Sequence, residues 1–560
     1  MHRRSFLESS ALAGAGVLLG RPWSRLLAQD VRGAAASGIV RTTAGAVRGI
    51  IVDRINAFYG MPYGASTTGP NRFMPPRRPQ PWTGVRDCLE YGPRSPQGPS
   101  GLIPEDAAED RREPASEDCL RLNVWTPALG SGRRPVMVWL HGGGFAQASG
   151  SFIIYDGANL ARRRDVVVIT LNHRLNVFGY LHLGDIGGEK YASSGNAGML
   201  DTVQALEWVH ENIAAFGGDP NNVTIFGQSG GGAKVCTLMG MPAARGLFHR
   251  AIAQSGSNTA GVSRTVATDT AQRLLDRLGL KPTELDGLQN VPVERLLAAM
   301  AAGGASAGGR GRGLGRGGPD GGALNFAPVV DGKTLPAGPF DPVASPLSAT
   351  VPLLVGSTEE EVTFTRGTPL DDMDDAALHA QIKRTVGAGD AAVDRLIATY
   401  RKGRTGISNI DLSLILASDH AFRADVMTVA ERKADAKQTS VYMYYFTWKS
   451  PVRDGRLKAS HTFEIPFVFE NVDLATAMVG GRQERYALQD RISSAWTAFA
   501  RTGNPNVMEL PEWPTFNTTE RATMFLDNQC KVVNDPNGDE RRELNAVRQS
   551  VRANLSTVAN

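Results

Sequence analysis

Residues Val223–Gly232, VTIFGQSGGG, decide the fold of this chain. The first four are apolar or β-branched, as in a buried strand, and they run straight into Gly227-Gln228-Ser229-Gly230-Gly231. A serine with glycine two positions to either side suits a strand-to-helix turn so sharp that side chains at the flanking positions would collide. Such a G-x-S-x-G elbow leaves the Ser229 hydroxyl projecting as a nucleophile. The N–H groups of the following helix point back toward it and form part of an anion site.

Outward from the elbow, Pro135–Leu140 (PVMVWL), Val166–Leu171 (VVVITL), Ala251–Gln254 and Val351–Val355 have the composition of further buried strands. Between them Met199–Phe216 (MLDTVQALEWVHENIAAF) carries apolar residues at helical spacing and stops before Gly217-Gly218. Continuous apolar strands alternating with helices predict an α/β fold whose central sheet is mainly parallel and covered on both faces. No internal repeat appears from about Gly38 onward, and no linker clearly divides the chain in two. The Gly/Arg-rich stretch 301–323 cannot pack a core and is expected to be a flexible surface loop. Its arginines lack interleaved aromatics, which argues against an RGG-type nucleic-acid segment.

With 42% hydrophobic and 21% charged residues the composition is that of a soluble globular protein, and no run of eighteen apolar residues offers a membrane span. The formal charge is +4, but residues 1–28 alone hold +3 (Arg3, Arg4, Arg21 and Arg25 against Glu8), leaving about +1. A nearly neutral body has no field for nucleic acid or an anionic membrane. His2-Arg3-Arg4-Ser5-Phe6-Leu7 followed by the Ala/Gly-rich Ala11–Gly20 has the form of a twin-arginine signal peptide over 1–28, cleaved near Ala28. It predicts export to the periplasm or medium, where disulfides can form. Of the four cysteines, Cys88 and Cys119 flank a Pro/Gly-rich acidic stretch and are the expected disulfide pair, a bridge worth about 3 to 4 kcal/mol by loop entropy. Cys236, in the helix after the elbow, is expected to be a buried thiol.

A serine attacks only when a base takes its proton, so Ser229 requires a histidine and an orienting carboxylate, in the chain order Ser, acid, His. His249, His379, His420 and His461 follow it. His461 stands out in a loop-like segment before Phe463-Glu-Ile-Pro-Phe, whereas His379 and His420 lie in helical patterns. The strand from Val351 ends in Glu359, Glu360 and Glu361, at the edge where α/β sheets carry their active groups; spacing does not say which of the three faces inward. His141-Gly142-Gly143-Gly144-Phe145, directly after PVMVWL, is a glycine loop able to aim N–H groups at a substrate carbonyl.

With these motifs the chain resembles the type B carboxylesterases, the cholinesterase and para-nitrobenzyl esterase branch of the α/β-hydrolases. The resemblance runs through Phe58-Tyr-Gly-Met-Pro-Tyr, Pro81-Trp-Thr-Gly, Ser116-Glu-Asp-Cys-Leu-Arg-Leu-Asn-Val, Gly195-Asn-Ala-Gly-Met-Leu-Asp, Asn212-Ile-Ala-Ala-Phe-Gly-Gly-Asp-Pro and Phe499-Ala-Arg-Thr-Gly-Asn-Pro-Asn. It covers nearly all of the chain after the leader, so it implies a single domain over residues 38–556, and it implies a serine esterase acting through an acyl-enzyme, with long loop and helical insertions around the active site. Ser229 would be the nucleophile, Glu361 the acid, His461 the base, and the N–H groups of Gly143, Gly144 and Gly230 the oxyanion hole. It implies a small-molecule ester substrate and no metal or cofactor. The same mechanism serves carbamates, amides and thioesters, and some relatives have lost catalysis and serve binding. This chain departs from the family pattern at Gln228 and Gly230, where the elbow usually reads G-E-S-A-G, at Val362 and Thr462, where small residues are usual, and at Ser95, where the family commonly has the cysteine that pairs with Cys119. No aromatic residue lies between Ser95 and Cys119, which argues against choline esters.

Overall fold

The computed structural model describes residues 35–99, 113–302, 324–364 and 368–558; the leader 1–28 and the Gly/Arg-rich stretch from 303 to 323 lie outside the described residues. Among those described, thirteen strands form one sheet. In chain order they are β1 (Ala35–Arg41), β2 (Ala46–Val52), β3 (Ile55–Pro62), β4 (Val85–Asp87), β5 (Arg121–Thr126), β6 (Arg134–Leu140), β7 (Val167–Leu171), β8 (Gly218–Gln228), β9 (Arg250–Gln254), β10 (Leu353–Thr358), β11 (Val441–Phe446), β12 (Thr523–Leu526) and β13 (Lys531–Val533). Their spatial order is β1-β2-β3-β5-β7-β6-β8-β9-β10-β11-β12-β13, with β4 beside β2. From β7 to β12 every neighbouring pair is parallel, and the antiparallel strands lie toward the two ends. All five strands expected from the sequence are present, within a few residues at their ends.

The pleat sorts the central strands into two cores. Val136, Val138, Val223, Ile225, Leu353 and Val355 face one side, where the helices Ala197–Asn212 and Ala424–Asp435 cover them. Met137, Trp139, Phe226, Ile252, Leu354 and Tyr444 face the other, against the helix Glu484–Thr502 through Leu488, Ile492 and Trp496. Burial on both faces is why these strands are apolar throughout rather than alternating. The predicted helix 199–216 is α-helical over Ala197–Asn212 and tightens into a 3-10 turn over Ile213–Phe216. It ends at Gly217 with φ +80°, a conformation that favours glycine.

The expected Cys88–Cys119 disulfide is corrected: all four cysteines are free thiols. The main chain of Cys88 bonds to Tyr59, whereas Leu120, next to Cys119, bonds to Tyr63. Tyr59 and Tyr63 are four positions apart in the chain, up to about 13 Å of extended backbone, against the roughly 7 Å that a bridge spans between Cα atoms. Burial pushes both thiols up to about 12. Cys236 is buried as expected.

Candidate active site

Strand β8 delivers Ser229 at its end, and the helix Gly230–Met239 starts on the next residue. Ser229 has φ +58° and ψ −123°, a conformation that costs about 1 to 3 kcal/mol for a residue with a side chain. Its N–H donates to Gln254 O at 2.8 Å and its carbonyl accepts from Ala233 at 3.0 Å, which hold the turn in that shape. The flanking glycines follow from sterics: a Cβ on Gly227 would stand 2.6 Å from Leu140 O, and one on Gly231 would stand 1.9 Å from the same atom.

The glycine loop after β6 lies against this turn. A side chain on Gly142 would touch Gln228 O at 3.2 Å and Ser229 Cβ at 3.5 Å. Gly143 and Gly144 take φ +75° and +64°, so both suit glycine alone. Gly230 packs directly on Gly144; a Cβ there would meet Gly144 O at 2.1 Å and its Cα at 2.4 Å. Among the described residues the N–H groups of Gly143 and Gly144 donate to no protein group. That of Gly230 is the first of its helix and so has no intrahelical acceptor.

The three glutamates after β10 separate by partner. Glu359 and Glu360 both pair with Lys449, and Glu360 also accepts from Ala459 N–H at 3.0 Å. Glu361, fully buried, turns inward: Oε1 accepts from Thr358 N–H at 2.9 Å and Oε2 bonds to His461 Nδ1. The histidine loop is laced to the acid loop by Glu360 N–H to Ala459 O at 3.1 Å and by Thr363 Oγ1 to Leu457 O at 3.0 Å. Thr462, at a position where the family has a small residue, takes φ +75°, so the histidine turn is strained here as the elbow is. His249 bonds to the backbone of Val223, His379 lies near Asp394, and His420 sits in a π-helical turn, Asp419–Arg423. None of these three is paired with Glu361.

Several roles escaped the sequence reading. Gln228 places Nε2 3.2 Å from His461 Nε2. With the amide donating, Nε2 holds the lone pair and Nδ1 the proton shared with Glu361, the tautomer of a general base. The rings of Phe364 and Phe422 lie 4.5 and 4.7 Å from the imidazole and wall it on two sides. Glu464 is buried, accepts from Gln254 at 3.2 Å and is pushed up to about 7 by desolvation and then by Glu361, against the pull of His461. Lys234 is buried under the glycine loop. It had a visible signal, as the charged residue of GGGAKVCTLM.

A parallel, doubly covered sheet with a serine elbow, a glycine loop and a buried His–Glu pair at its strand ends defines an α/β-hydrolase. A family model described as the carboxylesterase family matches residues 36–545. The chain is 36% identical over 512 residues to the para-nitrobenzyl esterase of Bacillus subtilis, covering 90% of this chain and 98% of that one. It is 34% identical over 512 residues to the phenmedipham hydrolase of Pseudarthrobacter oxydans, covering 89% and 97%. A crystal structure of a Geobacillus stearothermophilus carboxylesterase superposes with a TM-score of 0.76 at 37% identity, covering 91% of this chain and all of that one. The chain belongs to the carboxylesterase family and is a carboxylic ester hydrolase.

Proposed function

We propose that Ser229, His461 and Glu361 form the catalytic triad of this esterase, with the N–H groups of Gly143, Gly144 and Gly230 as its oxyanion hole. The observation that carries this is the buried Glu361–His461 pair, whose second imidazole nitrogen, Nε2, meets the side chain of Gln228, the residue next to Ser229, while the glycine loop packs on Ser229 itself. In the first step His461 Nε2 leaves the Gln228 amide and takes the Ser229 proton as Oγ attacks the ester carbonyl. The three amides hold the resulting oxyanion, and Glu361 stabilises the imidazolium. The imidazolium then gives its proton to the departing alcohol. Water repeats the sequence on the acyl-enzyme, releases the acid and restores the serine. A fluorophosphonate probe is expected to label Ser229. Ser229→Ala and His461→Ala should each lower kcat by several orders of magnitude with an unchanged circular dichroism spectrum; near wild-type turnover in either variant refutes the assignment. Matched ester, carbamate, amide and thioester substrates test the bond, and preference for an amide would overturn ester hydrolysis as the principal reaction.

We also propose that the enzyme is exported from the cytoplasm, on the support of Arg3-Arg4 before Phe6-Leu7. Replacing both arginines by lysine should retain the protein in the cytoplasmic fraction; unchanged fractionation would refute export by this route.

A further inference from the structure

Lys234 lies five residues beyond Ser229 in the helix Gly230–Met239 and is wholly buried. Side chains on a helix lean toward its N-terminus, so the long lysine stem runs back past Gly230 and Gly231, which have no side chains to block it. Its ammonium donates to His141 O and to Gly144 O, each at 2.9 Å, and stands 5.4 Å from the centre of the Phe145 ring. The two carbonyls bracket the glycine loop: one closes the peptide just before Gly142, the other follows Gly144. Beside it the His141 and His173 rings stack at 4.9 Å, and each Nδ1 is held by a backbone carbonyl. Among the described residues Lys234 makes no ion pair with a carboxylate, and where the family's elbow usually carries a glutamate this chain has the neutral Gln228.

We propose that Lys234 is a positioning residue for the oxyanion hole: its ammonium fixes the loop Gly142–Gly144 against the elbow helix and sets a positive charge behind the amides that receive the oxyanion. This rests on the Ser229 reading above. The arrangement has two independent supports. Geometrically, Gly144 O is both the acceptor of the lysine and the atom pressed on Gly230, so one carbonyl is gripped by the helix from two sides. Electrostatically, desolvation and the lysine charge hold His141 and His173 well below the usual imidazole range, so both stay neutral; burial brings Lys234 down only to about 7. Of the three basic groups under the loop, the lysine is therefore the one that holds a substantial charged fraction near neutral pH, about half at pH 7. A positive charge in a dry site favours the transition state, where the carbonyl oxygen has become anionic, over the neutral ester.

The test is Lys234→Met, which keeps the apolar stem and removes charge and donors, with Lys234→Gln, which restores N–H donors without charge, each in the full chain. On para-nitrophenyl butyrate, Lys234→Met is expected to lower kcat by about ten- to a hundredfold with KM within threefold, because loss of one oxyanion donor outright lowers kcat by about 10² to 10³ and the lysine acts one step removed. Affinity for a trifluoromethyl ketone analogue should fall in parallel, and Lys234→Gln should recover part of both. Wild-type kcat in Lys234→Met, or a loss confined to KM, overturns the proposal. If Lys234→Met does not fold, Lys234→Gln is read by the same criteria; failure of both to fold makes the lysine structural only and also overturns it. Fluorophosphonate labelling of the wild type keeps the two readings apart. Label on Ser229 with an inert lysine sinks this inference alone, whereas label on another serine sinks the triad.

Discussion

Gly230→Ala is the sharpest test of how the elbow and the glycine loop fit together, because it installs the residue that the family's elbow usually has. A Cβ at this position would sit 2.1 Å from Gly144 O, 2.4 Å from its Cα and 2.5 Å from its carbonyl carbon. All three are backbone atoms, so relief requires the loop to withdraw by about 1 Å rather than a side chain to rotate, an overpacking penalty of about 1 to 3 kcal/mol. Alanine is the better helix former by about 1 kcal/mol in a helix interior, but Gly230 is the first residue of its helix, so less than that offsets the penalty in overall stability. Activity has no such offset, since the displaced residue carries a proposed oxyanion N–H and an acceptor for Lys234. A displacement of 1 Å at a reacting group costs about a hundredfold, and loss of one donor about 10² to 10³. Expected, therefore, are a kcat on para-nitrophenyl butyrate about two orders of magnitude down, a KM little changed, and an unfolding free energy from urea denaturation lowered by no more than about 3 kcal/mol. A kcat within twofold of wild type would refute the claim that Gly144 is held by Gly230.

Gln228→Glu puts a carboxylate beside His461 Nε2, which favours the imidazolium. The acid limb of the kcat/KM profile should move to higher pH by about one to three units; an unmoved or lowered limb would count against the contact. Glu464 rises from 4.5 to about 7 in the folded protein, so its contribution to stability is whole below about pH 4.5 and is lost as pH rises through 7. Glu464→Gln should therefore raise the unfolding free energy by up to about 3 kcal/mol at pH 8.5 and change little below pH 4.5, as read by urea denaturation; equal effects at both would sink the explanation. Denatured without reductant, the protein should be alkylated at both Cys88 and Cys119, and a linked peptide pair in mass mapping would contradict the free thiols.

What the sequence determined by itself is what depends on neighbours along the chain. The strands were legible because burial on both faces leaves no polar alternation, and the elbow because only glycine fits at Gly227 and Gly231. Of the three glutamates in a row, local pattern could not select one, since all share a turn; the resemblance named Glu361, and the fold turns that residue inward while Lys449 draws its two neighbours away. The disulfide failed for the converse reason: loop length is read along the chain, but bridging depends on where β3 docks each cysteine. Gln228 against the imidazole and Lys234 under the glycine loop join residues 233 and 93 positions apart. Such pairings exist only once the parallel sheet brings the ends of β6, β8 and β10 to one edge. The sequence supplied the reactive groups, and the tertiary structure decided which of them face each other.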